Sequence, residues 1–296
     1  MTQFLSLLLN GVSLGAMYAL IALGFVIIFK ASGVVNFAHG SFLLLGAYTI
    51  VRLSDPLGFW LGTVVGVALT AAVAVLIERL LINRLRGTTD IALAVVTIGV
   101  DIILLTDLTR RIGSDILNVP HPWGGDVVRL GDVGISTNRA LAILVAAVLI
   151  GGFFAAFKYS DWGVAMRAVA EDGDAAALMG IRQGRVSAIA WLVAGALAAV
   201  AALFLVGAPT PGVSPAVYTV ALGAFPAAIL GGLDSTGGAL AGGLLIGVAE
   251  ALAAGYQDQL LFLGRGFGPV VPYLVMIVVL LVRPSGLFGT RELTRV

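Results

Sequence analysis

Two stretches of this chain place polar side chains among apolar ones, and their residue types limit the chemistry open to them. The first is Gly33-Val-Val-Asn36-Phe-Ala-His39-Gly40-Ser41. Asn36, His39 and Gly40 stand at i, i+3 and i+4, which puts them on one face of a helix. An amide, an imidazole and a bare glycine backbone on one face can line an aqueous path and exchange hydrogen bonds with a small polar solute. A structural alternative stands beside this, in which Asn36 caps the helix and His39 bonds a neighbouring carbonyl. The second is Asp101, in the middle of the apolar run Ile91–Leu108, with Thr97 one turn earlier. A carboxylate at that depth faces a cavity, pairs with a cation or carries a proton. Its plainer role is a hydrogen bond between helices, for example to Thr97 or His39. Ser41 beside His39 raises nucleophilic hydrolysis, but residues two apart on a helix point in different directions, and no oxyanion arrangement accompanies them. A proton relay through Asp101 and His39 would make the chain an ion-coupled secondary transporter or channel for small polar solutes.

The element that positions these residues is a membrane-spanning helix. Hydrophobic residues make up 59% of the 296, charged residues 11%, and mean hydropathy is +1.07. A soluble domain carries roughly 25% charged residues, so the solvent for this chain is a bilayer. A net charge of +1 gives no reason to expect nucleic acid, and zero cysteines exclude disulfides, thiolate metal sites and thiol catalysis. No Lys or Arg precedes Lys30, so the first apolar run lacks the basic start of a cleaved signal peptide and reads as a retained span.

Crossing the hydrocarbon takes about 20 apolar residues. Nine segments qualify: Phe4–Phe29, Val34–Val51, Leu57–Leu80, Ile91–Leu108, Ala140–Phe157, Val186–Val206, Val217–Leu233, Ala239–Ala254 and Pro269–Val282. The fold class is therefore all-α, a single polytopic membrane domain over 1–296 with nine transmembrane helices, in a range of eight to ten. The shorter Gly-rich segments (Val34–Val51, Val217–Leu233 and Ala239–Ala254) read as broken or re-entrant. Nine crossings put Arg52, Arg110, Arg111, Arg129, Arg139 and Arg265 on one side and the other eleven of the 17 basic residues, including Arg291 and Arg295, on the opposite side. The richer side is expected in the cytoplasm, with the N-terminus outside and the C-terminus inside. Glu78 and Glu250, nearer span ends, are expected to reach the interface. The external loop 109–139, with Pro120, Pro122 and Trp123, suits a short hairpin or interfacial helix that touches an outside partner, or equally a solvated connector with an aromatic anchor.

Glycines four apart recur at Gly11/Gly15, Gly62/Gly66, Gly238/Gly242 and Gly243/Gly247 and read as helix-packing faces. Gly231, Asp234 and Gly238 faintly echo Gly33, Asn36 and Gly40, a hint of paired repeats with a path between them. Between two long apolar runs lies a polar island, 158–185, on the cytoplasmic side of this topology. Trp162, Met166, Val169, Gly173 and Ala176 form an apolar stripe at helical spacing. Arg167 and Glu171, one turn apart, can pair. Asp172 can cap a second short helix and Gly180 can close it. Ala175 and Ala176 keep that helix slim, while Leu178, Met179 and Ile181 project as knobs, a shape suited to docking in a groove.

Asp174-Ala-Ala-x-x-x-Gly180 resembles the coupling loop of bacterial ABC importer permeases, with Asp in place of Glu. More narrowly, GVVNFAHGSFLLLGAY, RAVAEDGDAAALMGI and AAILGGLDSTGGALAGGLLIGVAEAL resemble the branched-chain amino acid permease subunits, and the likeness runs from Asn10 to Gly289. The chain is most similar to the shorter of that family's two permease partners. It departs from the broader importer pattern after Gly180, where Ala190-Trp-Leu-Val193 replaces the usual Ile-x-Leu-Pro. The resemblance implies an inner-membrane permease that pairs with a second, homologous permease subunit as a homo- or heterodimer. It implies two cytoplasmic ATPase subunits gripping loop 158–185, and an external binding protein that delivers the substrate. No cofactor is expected on this chain, and ATP would be used by the partners. The sequence agrees independently: it has no GxxxxGK[ST] loop, and its lysines, Lys30 and Lys158, lie in no such setting.

Overall fold

The computed structural model describes residues 2–119, 121–123, 126–130, 133–207, 212–259 and 266–289; Pro120, Arg265, Arg291 and Arg295 lie outside them. Each of the nine apolar segments falls on a helix: α1 (Thr2–Ser32), α2 (His39–Leu57), α3 (Phe59–Ile77), α4 (Asp90–Ile112), α5 (Thr137–Tyr159), α8 (Gln183–Leu205), α9 (Ala216–Gly231), α10 (Thr236–Gly255) and α11 (Val271–Val282). Two short helices, α6 (Asp161–Glu171) and α7 (Gly173–Leu178), fill the polar island. Among the described residues six helices are long and apolar enough to cross a membrane: Thr2–Ser32, Phe59–Leu85, Asp90–Ile112, Thr137–Tyr159, Gln183–Leu205 and Thr236–Gly255. The second of these continues α3 through a π-helical turn and a 3-10 turn.

The Gly-rich segments are not broken. α2, α9 and α10 run as single helices, with Pro56 and Pro226 accommodated inside α2 and α9. Their glycines serve close approach instead. A methyl group on Gly11 would lie 2.7 Å from Val248 Cα and one on Gly15 2.8 Å from Leu244 Cα, while Gly243 and Gly247 press on the backbone of Ala19 and Gly15. Gly62 and Gly66 meet Ser54 and Ile50 of α2 in the same way, and Gly238 and Gly242 meet Gly231 and Ala227 of α9. All four glycine pairs are therefore used within the chain, where bare backbone lets helices touch. α1 lies at the centre, buried from Gly15 to Ile28, with α10, α8, α9 and α5 around it. On the periphery Val64, Ile103 and Val148 remain 65%, 70% and 64% exposed, as side chains facing lipid would.

Contacts between helix ends gather at two ends of the bundle. At one end, Lys30 Nζ donates to the Asp234 carbonyl at 2.8 Å, Arg86 to the Gln183 carbonyl at 3.3 Å, and the Leu287 amide to the Leu230 carbonyl at 2.8 Å. A cavity of about 280 Å3 lies beside Lys30, Arg86 and Gln183, its lining shared by Gly33, Asp90, Val169 and Gly173. At the other end, Arg139 donates to Asn10, Trp123 Nε1 to Asn138 at 3.3 Å, and Leu117 forms a bridge with Val213. The outer loop forms an antiparallel hairpin, β1 (Val127–Leu130) with β2 (Val133–Ser136). Beside it His121 packs against Phe59 and Trp123, and burial holds its imidazole below the usual value.

Candidate functional site

Asp101 is the polar hub of the interior. Its Oδ1 accepts from Ser41 Oγ of α2 at 2.6 Å and its Oδ2 from the Tyr218 hydroxyl of α9 at 2.7 Å. Ser41 also reaches the Asp101 carbonyl at 3.1 Å. One carboxylate on α4 thus ties three helices, and it retains 8% exposure while Ser41 is fully enclosed. The plain reading of Asp101 as an interhelical hydrogen-bonding group holds, but its partners are Ser41 and Tyr218 rather than Thr97 or His39. Tyr218 carried no local signal, because its significance comes from α4, 117 residues away in the chain. Gly40 makes room for it: a methyl there would lie 2.8 Å from the Tyr218 ring.

The helix face expected for Asn36, His39 and Gly40 does not form. α2 begins only at His39, and Asn36 sits in the turn before it. There its Oδ1 accepts the Ala38 amide at 3.1 Å, and its carbonyl accepts the His39 amide at 3.3 Å. The short amide side chain competes for backbone donors and draws Asn36 out of the helix. Thr97 fastens this turn to α4: the Phe37 amide donates to Thr97 Oγ1 at 3.2 Å, and the hydroxyl lies 2.8 Å from the Ala94 carbonyl. His39 is enclosed at 0% exposure, its ring 4.5 Å from that of Phe25 and lodged over Gly24. The backbone of Ile21 faces the ring as a hydrogen-bonding group. No hydrogen bond links His39 to Asp101 or to Ser41, so neither a relay nor a Ser–His pair is assembled here.

The polar island folds into the expected two short helices. Ser160 caps α6 through the Gly163 amide at 3.1 Å, and Asp172 caps α7 through the Ala175 amide at 2.9 Å. Gly180, at φ +85°, ends α7 with two reversed bonds, Gly180 N–H to the Ala177 carbonyl at 2.9 Å and Ile181 N–H to Ala176 at 3.0 Å, the Schellman arrangement. Met166 and Ala176 of the apolar stripe are buried, Trp162 Nε1 donates to the Val186 carbonyl at 3.3 Å, and Gln183 holds the Gly173 carbonyl at 2.5 Å. Leu178 and Met179 stand out at 89% and 84% exposure. Arg167 does not pair with Glu171. It donates to the Phe157 carbonyl and covers that ring at 5.2 Å, because Gly163 lets α6 fold back on the end of α5.

Glu78 is fully buried and meets Arg86 at 3.4 Å, while Glu250, partly buried, accepts the Tyr18 hydroxyl at 2.7 Å between α1 and α10. Each carboxylate has a donor, as apolar surroundings demand.

A family model described as branched-chain amino acid transport system, permease component, matches residues 7–281. The chain belongs to this permease family. It is 34% identical over 312 residues to the high-affinity branched-chain amino acid transport system permease protein LivH of Escherichia coli (strain K12), covering 99% of this chain and 98% of that protein. Against the corresponding protein BraD of Pseudomonas aeruginosa identity is 33%, with the same coverage of 99% and 98%. Against LivM of Escherichia coli identity falls to 27%, over 93% of this chain but only 68% of that protein. Length and identity both place this permease beside the shorter LivH and BraD. No solved structure matches the chain.

Proposed function

We propose that this chain is the membrane-spanning permease subunit of an ATP-driven importer for branched-chain or related amino acids. It would cross the bacterial inner membrane nine times, with the N-terminus outside and the C-terminus in the cytoplasm. Nine apolar helices, six of them long enough to cross on their own, and contacts gathered at two ends of the bundle support this reading. A second permease, of the same or a related sequence, completes the pathway. Two ATPase subunits supply the energy, and an external binding protein delivers the solute. Asp101 borders the pathway, and Asn36, His39, Gly40, Ser41 and Thr97 support its wall.

The observation that carries the reading is α7. A capped six-residue helix rests its buried Ala176 on the body and offers Leu178 and Met179, which nothing among the described residues covers. Asp174 and Ala175 are exposed on the same short helix. Large apolar side chains so exposed at a polar membrane end mark a docking face. Leu178→Asp combined with Met179→Asp should abolish uptake by the reconstituted importer while the chain stays in the membrane. Gly180→Pro, which removes the amide that closes α7, should do the same. Normal uptake by these variants with the ATPase still bound would sink the coupling assignment.

A further inference from the structure

Far from α7, a cavity of about 350 Å3 opens between α1, α5, α8 and α10. That is at the small end of ligand pockets, about 300–1,000 Å3. Most of its wall is apolar, including Leu14, Met17, Ala142 and Phe204. Two charged groups of opposite sign break that wall, Arg139 and Glu250. They do not neutralise each other, for no ion pair joins them among the described residues. Each is steered by its own neutral partner instead: the Tyr18 hydroxyl donates to Glu250 at 2.7 Å, and Arg139 donates to Asn10.

Half-buried charges in an apolar membrane interior are costly and persist where something pairs them. Here each charge has only a neutral partner on this chain's described residues, Tyr18 for Glu250 and Asn10 for Arg139. The geometry points to a ligand that carries both charges. We propose that this cavity is a binding subsite for a zwitterionic α-amino acid with an aliphatic side chain. Arg139 receives its carboxylate, Glu250 its ammonium, and Leu14, Met17 and Phe204 its side chain. The inference rests on the amino-acid reading above and adds the place where the solute is held within this protomer.

The chain has no cysteine, so one introduced at Ala251, on the cavity wall, is a clean reporter on this subunit. In the full importer reconstituted with its partners, L-leucine should slow thiol labelling of Ala251→Cys at least tenfold. Neither 4-methylpentanoate, which lacks the ammonium, nor 3-methylbutylamine, which lacks the carboxylate, should protect. Adding Glu250→Gln or Arg139→Gln should remove the protection by leucine. If leucine is taken up normally yet labelling is unchanged, or if either singly charged analogue protects as well, the subsite is wrong while the amino-acid reading stands. If the wild-type importer takes up no leucine or other aliphatic amino acid, the failure lies in that reading instead.

Discussion

Asp101 shows how much one side chain can organise in a membrane. Both its oxygens are spoken for by hydroxyls from different helices, Ser41 and Tyr218. Tyr218→Phe removes one donor and should cost about 0.6 kcal/mol, the average for hydrogen bonds between membrane helices. Asp101→Leu leaves both hydroxyls without their acceptor and should cost roughly 1–3 kcal/mol for each. Thermal midpoints of the detergent-solubilised protein should therefore fall in the order wild type, Tyr218→Phe, Asp101→Leu. Uptake should be impaired in Asp101→Leu at temperatures where it remains folded. Equal midpoints would return Asp101 to a dispensable position. The depth of Asp101 was legible in the sequence, since an acid inside an apolar run stands out. Its partners were not, because hydrogen bonds across 60 and 117 residues leave no local pattern. The helical face through Asn36 failed for a different reason: i, i+3, i+4 spacing describes a helix only once the backbone has entered it, and Asn36 delays that entry.

Among the elements, each apolar run fell on a helix, because long stretches with few charges have few other fates, though only six of the described helices are long and apolar enough to cross a membrane. The caps of α7 were equally legible, as Asp172 and Gly180 act on their own neighbours. Glycine was the poor guide. The same residue that suggests a broken helix also permits close packing, and only the opposing helix decides between them. Gly247 and Gly237, both on α10, separate the two roles. Gly247→Val would push a side chain into the backbone of Gly15, whereas a methyl at Gly237 meets nothing within 4 Å. We expect Gly247→Val to lose folded protein, read as the monodisperse fraction after solubilisation. Gly237→Ala should be neutral or up to about 1 kcal/mol more stable. Comparable yields from both would mean that the α1–α10 seam tolerates separation.

For the whole molecule, the proposed nine crossings place Asp115 and Leu178 on opposite sides of the membrane. With cysteine at each in turn, an impermeant thiol reagent should label Asp115→Cys on intact cells and Leu178→Cys only in inside-out vesicles. The reverse pattern would invert the orientation drawn from the basic residues. One feature of the architecture also bears on how the chain is made. α1 leaves the ribosome before every other helix described here, yet the surface that encloses it includes α8 and α10, and Tyr18 bonds Glu250 across 232 residues. During synthesis α1 must therefore wait in lipid with Gly11 and Gly15 bare, and the centre of the protein closes only when its last third arrives. Contacts of such long separation are slow to form. A chain interrupted before Thr236 is thus a nascent intermediate with an open seam, exposed to quality control until α10 enters and seals it.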